Sequence, residues 1–146
     1  MSAFRVSRST RLSVQEAWLR VTDWPLHAAR VPLTQTVVLT DPPARVGTRF
    51  VARTALGRFG FDDPMEVTVW EPPGPGSASG HCRLVKTGSA LTGWAEISVR
   101  PRGAGSYVEW REDLRIAKLP RLADPVTAVA GRVVFGLALR GLLRTP

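Results

Sequence analysis

Hydrophobic and polar positions alternate over most of this chain, and the exceptions mark where helices interrupt. In "FRVSRSTRL" Phe4, Val6, Thr10 and Leu12 fall on one face and Arg5, Ser7, Ser9 and Arg11 on the other. That two-residue period predicts a strand, with Arg8 the one polar residue on its apolar side. Ser13 then opens "SVQE", a capping box that starts a helix running to about Thr22. Asp23 is a second cap, and "DWPLHAAR" predicts a short second helix ending before Pro32. From there to about residue 116 every segment carries the strand pattern. "LTQTVVLT" is followed by a "DPPARVG" turn, and "TRFVARTAL" and "RFGFDD" flank Gly57 as a hairpin. "MEVTVWEPP" continues the second arm, with a bulge expected at Asp62–Pro64. After the loop "PPGPGSASG" come "HCRLVKTG", "LTGWAEISVRP" and "SYVEWREDLRI", the last two joined by an "RGAG" turn. No internal repeat is present.

The closing stretch "DPVTAVAGRVVFGLALRGLLRTP" begins with Asp124 as cap and Pro125 at the first helical position. A membrane span needs about 20 apolar residues. Here Arg132 and Arg140 leave only "VVFGLAL" uninterrupted. On a helical wheel Phe135, Leu139 and Leu142 share one side, and Val126, Val133 and Leu137 lie roughly opposite. Apolar residues on both sides predict a helix from about Leu122 to Leu143, buried against the sheet and neither crossing nor lying on a membrane. One side should be left over, to line a cavity, cover an edge or form a homodimer contact. Gly131, Gly136 and Gly141 each cost about 1 kcal/mol against Ala, so close packing is expected there.

This order of elements resembles the helix-grip fold of the START-related SRPBCC superfamily, and within it the bacterial polyketide cyclase/dehydrase-like proteins. The resemblance rests on "VQEAWLRVTDWPLHA", "VLTDPPARVGTRF", "VTVWEPP" and "YVEWREDL", followed by the Pro-capped last helix. It implies one α+β domain over residues 1–146, with a curved antiparallel sheet of about seven strands (β-α-α-β6-α) around a long C-terminal helix. It also implies a hydrophobic pocket between sheet and helix, closed at one end by the two short helices. Members of the family bind lipids, sterols, polyketides or aromatic compounds, and some catalyse cyclisation or dehydration. The matching stretches mark the fold, and none is a catalytic signature, so function has to be argued from the site.

Composition changes this picture little. At 146 residues the chain is long enough for one sizeable core. The net charge of +8 comes from eighteen Arg and two Lys spread without a run, the usage of a GC-rich genome. A lone Cys82 forms no internal disulfide, the first residues lack the apolar core of a signal peptide, and no Cys/His set has metal-ligand spacing. A cytoplasmic protein with no cofactor and no metal is the expectation.

Candidate chemistry is sparse. In "SYVEWREDLRI" alternation puts Val108, Trp110, Glu112, Leu114 and Ile116 inward, and Tyr107, Glu109, Arg111 and Asp113 on the solvated face. Glu112 is thus an inward carboxylate, either paired with an Arg such as Arg8 or available as an acid/base or ligand contact. Asp62 and Asp63 read as turn chemistry before Pro64. Trp94 and Glu96 share the face opposite Ala95, unless a bulge at Gly93 turns Trp94 inward. His27 lies near the expected pocket mouth and His81 begins a strand. Trp24, His27, Phe59, Phe61, Trp110, Glu112 and Phe135 are the expected ligand-binding residues, and Glu112 is the candidate catalytic one. The leading expectation is a carrier or sensor for a small hydrophobic ligand. The alternatives are a cyclase or dehydratase using Glu112, and an Arg-rich module for an anionic partner. Nucleic acid is disfavoured, because the aromatics belong to strand interiors and leave few for base stacking.

Overall fold

The computed structural model describes residues 2–29, 34–89, 91–116 and 124–144, with the backbone alone at 2, 27–29, 56, 59, 61 and 124–128. Strand β1 (Ser2–Thr10) leads into helices α1 (Val14–Val21) and α2 (Trp24–Ala29). Six strands follow: β2 (Thr34–Val38), β3 (Arg49–Leu56), β4 (Phe59–Glu71), β5 (Gly80–Lys86), β6 (Leu91–Arg102) and β7 (Gly105–Ile116). Helix α3 (Asp124–Leu142) ends the order. The strands form one antiparallel sheet, β1-β7-β6-β5-β4-β3-β2, so the first strand pairs with the last and everything between is a meander. The sheet curls around α3 as a half-barrel, the architecture expected from the sequence.

Local chemistry sets the helix starts. Ser13 Oγ accepts from the Glu16 backbone N–H at 3.1 Å, which satisfies one free donor of the first turn. The Glu16 carboxylate does not complete the capping box; it turns instead to Arg20, at 3.0 Å. Arg20 also donates to the backbone oxygen of Arg144 at 2.6 Å, tying α1 to the end of α3. Asp23 Oδ1 caps α2 through the Leu26 N–H at 3.2 Å.

The core lies between the concave face of the sheet and the helices. Phe4 and Val6 of β1, Trp18 and Val21 of α1, Ile97 and Val99 of β6 and Leu139 of α3 are all buried there. Several expectations need correction. Arg8 keeps the inward side of β1, in register with buried Val108, but it is exposed beside α3 at the edge of the sheet rather than buried in the core. β4 runs unbroken through Asp62–Pro64, and its register shift comes later, between Val67 and Val69. Asp113, expected in solvent, is buried beside its register partner Trp94. Gly93 explains how β6 and β7 approach so closely there. Its φ is +126°, and a Cβ would stand 1.8 Å from the Asp113 carbonyl oxygen. No side chain fits.

α3 buries Ala138, Leu139 and Leu142. Its opposite side is not buried: Val129, Val133 and Leu137 are exposed. α3 meets the sheet mainly along β1, and no described element packs over the opposite face. No helix among the described residues is long and apolar enough to cross a membrane.

Candidate functional site

Between the sheet and α3 lies a cavity of about 420 Å³. That falls in the range of about 300–1,000 Å³ usual for small-molecule sites. Its walls are alternate residues of six strands, as the two-residue period requires. Thr34 and Thr36 come from β2, Phe50 and Ala52 from β3, Met65 from β4 and Leu84 from β5. Trp110, Leu114 and Ile116 of β7 continue the wall, and Trp24, Val134 and Phe135 close it from the helices.

The aromatic walls brace one another. Trp24 stacks on Phe50 with ring centroids 4.8 Å apart and planes within 9°. Phe135 lies between Phe4, at 5.5 Å, and Trp110, at 5.0 Å. Such contacts add about 0.5–1.5 kcal/mol beyond burial and fix the wall's shape.

Three charged side chains interrupt this apolar lining: Asp63, Lys86 and Glu112. The Lys86 ammonium donates to Asp63 Oδ2 at 2.6 Å and stands 3.9 Å from Glu112 Oε1. The Lys86 and Glu112 side chains are only 4% and 3% exposed. The sheet register makes this meeting possible. Met65 pairs with Lys86 across β4 and β5, which puts Asp63 on the diagonal. Ala95 separates Leu84 from Glu112 across β6, and its single methyl leaves room for the long lysine stem.

Burial pushes the Glu112 carboxyl up to about 7, because an ionised form there has lost its hydration. The Lys86 charge opposes the rise, and Asp63 and Asp113 add to it. Asp63 is also raised by burial, with Lys86 pulling it back through charge and a hydrogen bond. Asp63 Oδ1 and Glu112 Oε2 are buried without a hydrogen-bond partner. Buried polar atoms are normally satisfied, so these two oxygens keep unused hydrogen-bonding capacity beside the cavity.

Of the residues expected at a site, Trp24, Trp110, Glu112 and Phe135 line this cavity. The side chains of His27, Phe59 and Phe61 lie outside the described residues. Arg8 is not the partner of Glu112; Lys86 is. Asp63 is not in a turn but within β4, opposite Ala52, facing the cavity. Both missed residues left a trace. Lys86 is one of two lysines in a chain that otherwise uses arginine, and it sits inward by the alternation of "HCRLVK". Asp63 sits two residues before Met65, on the same face of β4.

The remaining candidates are on the outer face. His81 lies between Glu71, at 3.8 Å, and Glu96, at 3.7 Å. Trp94 is outward, with the Arg83 guanidinium 4.8 Å from its ring centroid. Arg83 donates to Glu96 at 2.8 Å. Cys82 is fully buried and its thiol is pushed up to about 12, which leaves it inert as a nucleophile.

No family model matches the sequence, and no curated protein matches it. Solved structures do. TTHA0849 from Thermus thermophilus superposes with a TM-score of 0.75 at 12% identity, over 96% of this chain and 93% of that one. The human StarD13 (DLC2) lipid transfer and protein localization domain gives 0.72 at 10% identity, over 99% and 78%. The Zhui aromatase/cyclase from Streptomyces sp. R1128 gives 0.58 at 10% identity, over 96% and 85%. Curled sheet, gripped helix and element order together make this a helix-grip fold, the fold these solved structures share.

Proposed function

We propose that this chain is a cytoplasmic carrier or sensor for a small, largely apolar molecule bearing a hydroxyl or carbonyl group. The observation that carries this reading is the apolar cavity with two buried, unpartnered carboxylate oxygens in its wall. A ligand hydroxyl would donate to Asp63 Oδ1. A ligand carbonyl would accept from protonated Glu112, whose carboxyl holds its proton up to about pH 7. Each bond would relieve an unmet desolvation cost of about 1–3 kcal/mol, so a ligand lacking polar atoms should bind less well. The lipid transfer domain and the aromatase/cyclase among the similar structures support an apolar ligand by likeness of fold. A panel of hydrophobic metabolites should include compounds that raise Tm and change the fluorescence of Trp24 and Trp110. If hydroxylated and carbonyl-bearing aromatics do neither, the reading fails.

A second reading is a cyclase or dehydratase with Glu112 as acid/base. It is favoured by the Glu112 carboxyl titrating near neutrality inside the cavity, where it can both give and take a proton. Glu112→Gln should then fold, keep ligand affinity and lose turnover. Unchanged turnover in that variant would remove Glu112 from the reaction.

A further inference from the structure

The exposed side of α3 carries more than leftover apolar residues. Val129, Val133 and Leu137 recur every four residues, so they form one stripe along the helix. They are 58%, 56% and 63% exposed. Beside this stripe, α3 and edge strand β1 enclose an open groove of about 460 Å³. Val133, Gly136 and Leu137 line it from the helix, and Val6 and Ser7 from the strand. Four arginines rim it: Arg5 and Arg8 from β1, Arg132 and Arg140 from α3. Among the described residues no carboxylate lines the groove. None of these four guanidiniums has an ion pair among the described residues, whereas Arg20, Arg53 and Arg83 each have one.

We infer that this face docks on an anionic phospholipid bilayer, against the expectation from the sequence that α3 does not lie on a membrane, because one of its two apolar sides is left exposed. The aliphatic stripe would enter the boundary between headgroups and acyl chains, and the rim arginines would sit at the level of the phosphates. Charge decides among the occupants. A second copy packed face to face would bring two sets of four guanidiniums together, with no carboxylate among the described groove residues to offset them. Nucleic acid would find the charge but no aromatic platform, and would gain nothing from burying Val133 and Leu137. A bilayer with anionic lipid satisfies both the charge and the apolar stripe. The inference stands apart from the cavity and holds whatever ligand the cavity takes.

Vesicle flotation of the purified protein tests it, with phosphatidylcholine alone and with phosphatidylglycerol added. Flotation is expected with the anionic vesicles only, weakening as salt rises. Arg132→Glu with Arg140→Glu should weaken it roughly tenfold or more. Val133→Gln with Leu137→Gln should also weaken it, at unchanged net charge. These four side chains are exposed, so an unchanged Tm in each variant checks that folding is intact. Arg100→Glu with Arg102→Glu, on the outer face of the sheet, should leave flotation near the wild-type level. Three results would overturn the inference: equal flotation with both vesicles, equal loss in the outer-face variant, or full binding after the double Gln substitution. Wild-type protein that binds a polyglutamate or DNA column as firmly as it binds anionic vesicles would also overturn it.

Discussion

Lys86 reaches Asp63 along the diagonal of the β4–β5 pair, Nζ to Oδ2 2.6 Å, and this contact neutralises a carboxylate that the cavity would otherwise hold alone. The geometry predicts the consequence of cutting it. Lys86→Met keeps most of the apolar stem and removes the charge, leaving Asp63 and Glu112 without their cation. Losing one partner of a buried pair costs about 3–5 kcal/mol. Because Lys86 pulls both carboxyls downward, its removal lets both rise further. The variant should therefore lose the most stability at neutral pH and recover part of it on acidification. Urea denaturation at pH 5 and pH 7 measures both. A variant as stable as wild type at pH 7 would show that the pair contributes nothing.

Glu112 gives the protein a pH dependence of definite sign. Its carboxyl is raised from 4.5 to about 7, so between those values the folded state keeps a proton that the unfolded chain has released. Stability therefore falls as pH rises through that window and levels off above about 7. The shift corresponds to something on the order of 3 kcal/mol. Glu112→Gln should lack this component, so its advantage over wild type should grow from pH 4.5 to 7. Parallel stability curves for the two proteins would mean that Glu112 titrates in the fold as it does in the unfolded chain.

The order of elements was legible because each carries its own period and punctuation. Ser13, Asp23 and Asp124 mark helix starts, and the strands alternate cleanly. Glu112 was legible too, as the one charged residue among Val108, Trp110, Leu114 and Ile116. Its partner was not. Lys86 and Glu112 lie on β5 and β7, with β6 between them, and only the register brings them together. Alternation along one strand carries no information about register between strands. Asp63 was hidden for another reason: "DDP" is good turn chemistry, and strand pairing with β3 and β5 overrides it. The fate of α3 was half legible. Its wheel shows two apolar sides, and nothing along the helix itself says which of them the sheet covers.

Cys82 should react only when the protein opens. Its side chain is fully buried and its thiol is pushed up to about 12, chiefly by burial, so thiolate is scarce at neutral pH. Labelling with a thiol reagent should be slow in buffer and should accelerate in step with unfolding in urea. Fast labelling in the absence of denaturant would show that β5 opens locally.

Two glycines of α3 look alike in the sequence and should respond oppositely to the same substitution. Replacing a mid-helix glycine by alanine ordinarily gains about 1 kcal/mol of helix propensity. At Gly136 a Cβ would meet only Val6 Cγ1, at 3.8 Å, an ordinary contact. Gly136→Ala should therefore stabilise the protein by up to about 1 kcal/mol. At Gly131 a Cβ would stand 2.5 Å from Phe4 Cε1 and 2.8 Å from Cδ1. The Phe4 ring cannot swing aside freely, because it is buried and stacked on Phe135, which in turn packs on Trp110. Relief requires α3 to move away from β1, at a cost of about 1–3 kcal/mol for overpacking. Gly131→Ala should thus destabilise despite its better helix propensity, and its strain should pass through Phe4 and Phe135 to the cavity wall. Thermal melts of the two variants give the signs directly. A Gly131→Ala protein more stable than wild type would mean that the helix does not lie this close to β1.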